Sequence, residues 1–443
     1  MALRNVRRSR SQVWHRCPAV GRGAPDRSGG PSPQRYLPVR RISARFCPFG
    51  DSAKVVPNTT FCSCRAVQSP TVRAAGGVVA DGRKAGRDRY FDTLRAVAMI
   101  RVVLFHAFPV AAFELVFPSM GVMFALGGSL MVKSLDRNTP RALRNRLRRL
   151  LPALWVMGLI AVPVMIHHGW PDRPSWPRLL LWALPIADPP SSEFGYPAAG
   201  VLWYLVTYLW LVLLSPVLLK LYRRWNLPTV LLPLVALMLL TAYPDMVGAT
   251  TFWVLLNVLG FGSCWVLGMA HREGDLARLR APVVLGIAVV CVSGALSWAY
   301  THPGENGVNL PDLPVAYAVY SIGFVLALLR WTPRMNWLAR ARPVDGFVSM
   351  VNNRAVTIYL WHNVAITIAV ALIVPFKLWE IPNETLQYLA DFAIAMAMLV
   401  VCVLSLGWVE DLAARRRPRI SPFVRRRRAR PATPVPVPAA VAA

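Results

Sequence analysis

Phe91-Asp92-Thr93-Leu94-Arg95-Ala96-Val97-Ala98-Met99-Ile100-Arg101-Val102-Val103-Leu104-Phe105-His106 opens the first long apolar run of the chain. Read as a helix, its eleven-residue step from Arg95 to His106 turns through about 1100°, so the two side chains return to within about 20° of each other. They share one face, about 16 Å apart along the axis. Arg101 sits on another face near the middle of the same run. Ionisable groups are costly in a membrane helix, so they face an internal cavity and carry function.

The rest of the chain repeats the apolar pattern. Its 443 residues are 55% hydrophobic and 16% charged, with a mean hydropathy of +0.42. That composition, with recurrent runs of about 18 or more apolar residues, predicts an all-α, polytopic membrane protein. About ten transmembrane helices are expected, at approximately 94–113, 119–134, 150–167, 199–219, 227–243, 250–270, 281–300, 313–330, 354–375 and 386–408. Trp176 to Ile186 is apolar but too short to span, which points to an interfacial or re-entrant segment.

Charge sorting orients the bundle. With the N-terminus in the cytoplasm, the inner loops carry Lys133, Arg137, Arg141, Arg144, Arg146, Arg148, Arg149, Lys220, Arg223, Arg224, Arg272, Arg278, Arg280, Arg330, Arg334, Arg340 and Arg342. The outer loops carry Arg173, Arg178 and Lys377. This positive-inside bias places both termini in the cytoplasm. It also accounts for the net charge of +29 without a nucleic-acid partner, since the basic residues lie in tails and short loops.

Three domains follow. Residues 1–88 read as a disordered, basic N-terminal extension or a start assigned too far upstream. Residues 89–410 form the ten-helix domain, and 411–443 a disordered, basic, Pro-rich cytoplasmic tail. The seven cysteines include no C-x-x-C pair and no zinc spacing, so neither a metal site nor a disulfide framework is expected. No G-x-S-x-G, Walker loop or H-E-x-x-H is present.

Other residues have two readings each. His362, in Tyr359-Leu360-Trp361-His362, lies about 12 Å into the ninth span, near the depth of His106. It either packs the helix or flanks a shared midplane cavity. Gly127-Gly128-Ser129 allows close helix packing or backbone approach to a substrate. Arg146 and Arg149 are a positive-inside flank, a contact for anionic membrane lipids, or a phosphate site.

Together these residues resemble the membrane-bound acyltransferase family 3. The first-span pattern of that family is matched by Asp92 to Ala98 with Phe105-His106. Its second-span F-x-L-S-G-F-like stretch is matched by Phe124 to Ser129, with Gly127 where serine is common. Its R-x-x-R-x-x-P stretch is matched by Arg146, Arg149 and Pro152, its W-[FY]-L element by Trp203-Tyr204-Leu205, and its Y-L-W-H element by Tyr359 to His362. Where many members follow W-[FY]-L with paired glutamates, this chain has Val206-Thr207-Tyr208.

The resemblance implies a plasma-membrane enzyme that moves an acyl group, often acetyl, from acyl-coenzyme A as co-substrate. The acceptor it implies is a hydroxyl of a carbohydrate, glycolipid or other cell-envelope molecule. It implies His106 as the catalytic histidine, with Arg95 facing the donor or the oxyanion, and Arg146 and Arg149 on the coenzyme A phosphates. Ser129, Trp203, Tyr359 and His362 are candidates to line the substrate cavity. A transporter or flippase using Arg95 and His106 for substrate or protons is the competing class.

Overall fold

The computed structural model describes residues 88–108, 115–303, 308–373, 375 and 383–418. The expected N-terminal extension lies almost wholly outside them. Every regular element among the described residues is helical. Eleven helices matter for the site: α1 (Arg89–Ala107), α2 (Ser119–Leu135), α3 (Thr139–His167), α4 (Trp203–Ala242), α5 (Ala249–Glu273), α6 (Ala281–Thr301), α7 (Pro314–Arg330), α8 (Arg342–Asn353), α9 (Ala355–Ile373), α10 (Glu384–Leu406) and α11 (Trp408–Ala413).

Six helical segments are long and apolar enough to cross a membrane, and α2 and α7 are apolar but shorter. The sequence counts ten apolar stretches, and the two numbers differ for physical reasons. The fourth and fifth stretches share the single element α4. It breaks at Trp225 and Asn226, whose backbone leaves the helical region, just before Pro228. Proline lacks an amide hydrogen and disfavours helix in the residue before it, so a break here is a kink where the apolar pattern reads a loop. The first stretch is α1, where Arg95 and Arg101 interrupt the apolar run.

α5 is the centre of the bundle and packs against α2, α4 and α7. Trp265 is wholly buried and donates to Ser215 Oγ at 3.0 Å. Gly128 of α2 lies against the Trp265 backbone, and Gly268 of α5 against the Ala125 and Ser129 backbone. A methyl group at either glycine would enter the facing helix, so Gly128 serves close helix packing. α6 and α10, by contrast, turn Val283, Leu285, Val289, Val290 and Leu389, Val400, Val401 outward, as lipid-facing helices do.

The helix ends expected on the cytoplasmic side meet one another. Arg223, beside the α4 break, bonds Asp136 beyond α2 at 2.8 Å and Glu273 at the end of α5 at 2.7 Å. Arg354, at the entry to α9, bonds Asp411 of α11 at 2.8 Å in a buried pair. Losing one partner of such a pair costs on the order of 3–5 kcal/mol.

Two segments differ from the sequence expectation. The loop after residue 330 contains the amphipathic helix α8, which packs Val348 and Val351 inward and pairs Asp345 with Arg89 of α1. The tail boundary at 410/411 cuts through α11, which packs on α3. Arg148 donates to Ala413 O at 3.1 Å, so the first tail residues belong to the domain. The short segment from Trp176 forms one helical turn and a 3-10 turn, with Trp182 buried against Gly158.

Candidate active site

Asp88 caps α1 by accepting from Phe91 N at 3.3 Å, and Asp92 in the first turn complements the helix dipole. One turn in, Arg95 enters a cavity of about 230 Å³. Its wall is assembled from seven helices and one turn: Arg95 and Met99 of α1, Met123 of α2, Arg146 and Arg149 of α3, Tyr204 and Tyr208 of α4, Asn352 and Asn353 of α8, Tyr359 of α9, Glu410 of α11, and Arg416 beyond it. Four arginines from three chain segments thus converge on a tyrosine-lined space.

Glu410 joins α11 to α9. Its Oε1 accepts from Val356 N at 2.7 Å and Thr357 N at 3.2 Å, capping the first turn of α9. Burial pushes its carboxyl up to about 7, against the opposing pull of those amides and of Arg354.

His106 lies further along α1. Its ring meets that of His362 edge-on, with centroids 4.8 Å apart. Each ring is tied to its own helix: His106 Nδ1 is 2.9 Å from Val102 O, and His362 Nδ1 is 2.6 Å from Tyr359 O. A carbonyl can only accept, so Nδ1 carries the proton in both neutral rings and Nε2 keeps its lone pair. The pair lies beyond the cavity lining and connects to it through Tyr359, whose ring is 6.0 Å from His362 and 5.0 Å from Tyr204. Tyr359 Oη, His362 Nε2 and Glu410 Oε2 are buried and have no hydrogen-bond partner among the described residues. Buried polar atoms are normally satisfied, so three around one site mark groups that a ligand or water can engage.

The structure therefore brings Arg95, Arg146, Arg149 and Tyr359 together, and sets His106 on His362. It does not bring Ser129 or Trp203 into the cavity lining. Ser129 is buried between α2 and α5, 3.2 Å from His271 Nδ1. Trp203 stacks on Phe261 at 5.9 Å, and its neighbour Tyr204 takes the cavity position. Arg101 is buried with its guanidinium 5.1 Å from the Phe105 ring centroid, a cation–π contact at i, i+4.

Sequence reasoning missed Tyr208, Asn352, Asn353, Glu410 and Arg416 as cavity residues. The i, i+4 spacing of Tyr204 and Tyr208 was the available signal for one of them. Among the described residues, no group of three or more His, Cys, Asp or Glu side chains is placed to hold a metal ion.

A family model described as an acyltransferase domain, that of acyltransferase family 3, matches residues 88–408. The chain belongs to acyltransferase family 3. No significant match was found among curated proteins or solved structures. The family assignment and the apolar helices together make this chain a multi-pass membrane acyltransferase.

Proposed function

We propose that this acyltransferase moves an acyl group, acetyl in the simplest case, from acyl-coenzyme A to a hydroxyl of a carbohydrate, glycolipid or other cell-envelope acceptor. It does so in the plasma membrane, through ten spans with both termini cytoplasmic. The observation that carries the reading is the coexistence of an arginine-rich cavity at the expected cytoplasmic end of α1 with a histidine pair deeper along the same helix.

The donor enters from the arginine side. Arg146 and Arg149 hold its phosphates by charge-assisted hydrogen bonds. Arg95 positions the donor; about 16 Å of helix rise separates it from His106, so it serves the donor rather than the oxyanion. At the far end, the acceptor hydroxyl oxygen attacks the thioester carbonyl as His106 Nε2 takes its proton. The tetrahedral adduct collapses, the C–S bond breaks, and the leaving thiolate recovers that proton from the imidazolium. The Nδ1 contact with Val102 O sets the tautomer, with the proton on Nδ1 and the lone pair on Nε2. His362 and Tyr359 fix the ring from behind and line the approach.

The test is transfer of label from acyl-coenzyme A in membranes that contain the full chain. Label is expected in a lipid or glycan fraction, and in none when His106→Ala is inserted at equal levels. Wild-type turnover by His106→Ala overturns the mechanism. Movement of an unmodified substrate, without label transfer, returns the chain to the transporter class.

A further inference from the structure

A second cavity, of about 570 Å³, opens beside the first. Arg141, Arg144, Arg148 and Arg149 line it from the first turns of α3, and Arg415 faces them. No acidic residue contributes to its wall, and none of these five arginines forms an ion pair among the described residues. Arg149 and Ala414 belong to both cavities. Arg149 also has Arg146, Arg148 and Arg416 as charged neighbours. Gathering like charges is unfavourable, and an anion between them reverses the sign of the interaction.

The turn after α11 builds the partition between the cavities. Arg415 N bonds Leu412 O at 2.9 Å and Arg416 N bonds Asp411 O at 2.7 Å. Arg415 has φ of 56°, which puts a non-glycine residue in the left-handed region. Glycine is the usual occupant of this position at a helix end, because it has no Cβ to clash. The consequence here is geometric: Arg415 points into the outer cavity and Arg416 into the inner one. A strained residue that a glycine would relieve is retained where its side chain completes a basic cluster.

We propose that the outer cavity is a separate anion site, taking the phosphate-bearing nucleotide end of the donor, and that Arg415 adopts its left-handed conformation to complete it. This rests on the reading of acyl-coenzyme A as donor. The charges of that molecule lie on its adenosine 3′-phosphate and 5′-diphosphate, whereas its pantetheine arm is neutral. The arginine-lined outer cavity matches the 3′-phosphate; the diphosphate falls at the shared Arg149, within the reach of Arg146, and the tyrosine-walled space beyond matches the arm.

The probe is adenosine 3′,5′-bisphosphate, which lacks both the arm and the acyl group, binding to the purified full chain. Wild type is expected to bind it with an affinity that falls as salt rises. Arg415→Gly is expected to weaken binding about tenfold, the scale of one lost hydrogen bond to a charged group. The same variant is expected to hold or raise Tm, because glycine removes the strain. Arg144→Gln is a second variant that leaves the turn intact and is expected to weaken binding on the same scale.

In turnover, the preference for acyl-coenzyme A over acyl-pantetheine, as a ratio of kcat/KM values, is expected to fall about tenfold in both variants. Unchanged bisphosphate affinity or an unchanged ratio overturns the proposal. So does displacement of the bisphosphate in nanodiscs containing phosphatidylglycerol but not in zwitterionic ones, which assigns the cavity to lipid headgroups. Bisphosphate binding that Arg415→Gly weakens, in a wild type that transfers no label from acyl-coenzyme A, supports the anion site and overturns the acyl-transfer reading.

Discussion

The arginine cavity and the histidine pair are both built on α1 and α9, yet they are assembled differently. Charge in the cavity comes from α1, α3 and the turn after α11, and the tyrosines come from α4 and α9. The pair comes from α1 and α9 alone, and each ring spends one nitrogen on a carbonyl of its own helix. Binding charge distributed over several segments is redundant. A proton acceptor reduced to one nitrogen is not. Substitutions in the two regions should therefore fail in different ways, and the difference can be measured.

The largest expected effect is at His106. Removing a general base costs about 10²- to 10⁴-fold in rate. His106→Ala is expected to lose that much in kcat, with KM for the donor little changed. His362→Ala is expected to cost less, because in the proposed mechanism His362 only holds the ring that acts. Steady-state kinetics at matched membrane expression distinguishes them. Equal losses at both positions would make the pair a single catalytic unit.

Arg95→Ala comes next. It is expected to lower kcat/KM about 10- to 100-fold, the range for a hydrogen bond to a charged partner, and mainly through KM. Arg146→Gln and Arg149→Gln should each do less, because the neighbouring arginines remain. The double variant should exceed the sum of the singles in log units if they hold the same phosphates. A loss confined to kcat in Arg95→Ala would move Arg95 from donor binding to the chemical step.

Local patterns made some of this legible in the sequence. The step of eleven from Arg95 to His106, the density of arginine before Pro152 and the glycine pair at 127–128 each express a short-range rule, and the structure gives each a matching place. Arg101 was visible as a costly charge, and its i, i+4 relation to Phe105 was present in the sequence unread. The rest depends on long-range folding. Glu410 and Arg416 reach the cavity because Arg354 and Asp411 pin α11 across the start of α9, and no periodicity in either segment encodes that meeting. Ser129 has the composition of a cavity residue but faces α5, because Gly128 and Gly268 bring those two helices into backbone contact. The break in α4 was hidden because an apolar pattern interrupted by Asn226 and Pro228 is the same for a kink as for a loop.

The smallest effect tests whether the acidic member of the cavity belongs to the donor site at all. Glu410 is raised to about 7, so it is mainly neutral below that pH and ionised above it. Its charge then stands in the same cavity as Arg95, Arg146, Arg149 and Arg416, and near Arg354 and Asp411. In the proposed donor site, a negative charge there would offset the attraction of those arginines for donor phosphates. KM for acyl-coenzyme A should therefore rise as pH increases through about 7, by about fivefold or less, the scale of one partly solvated charge pair. Glu410→Gln keeps an oxygen to accept from Val356 N and removes the titration, so its profile should be flat through that range. If the inflection survives in Glu410→Gln, Glu410 serves α9 only as a cap, and the cavity's response to pH originates in another group.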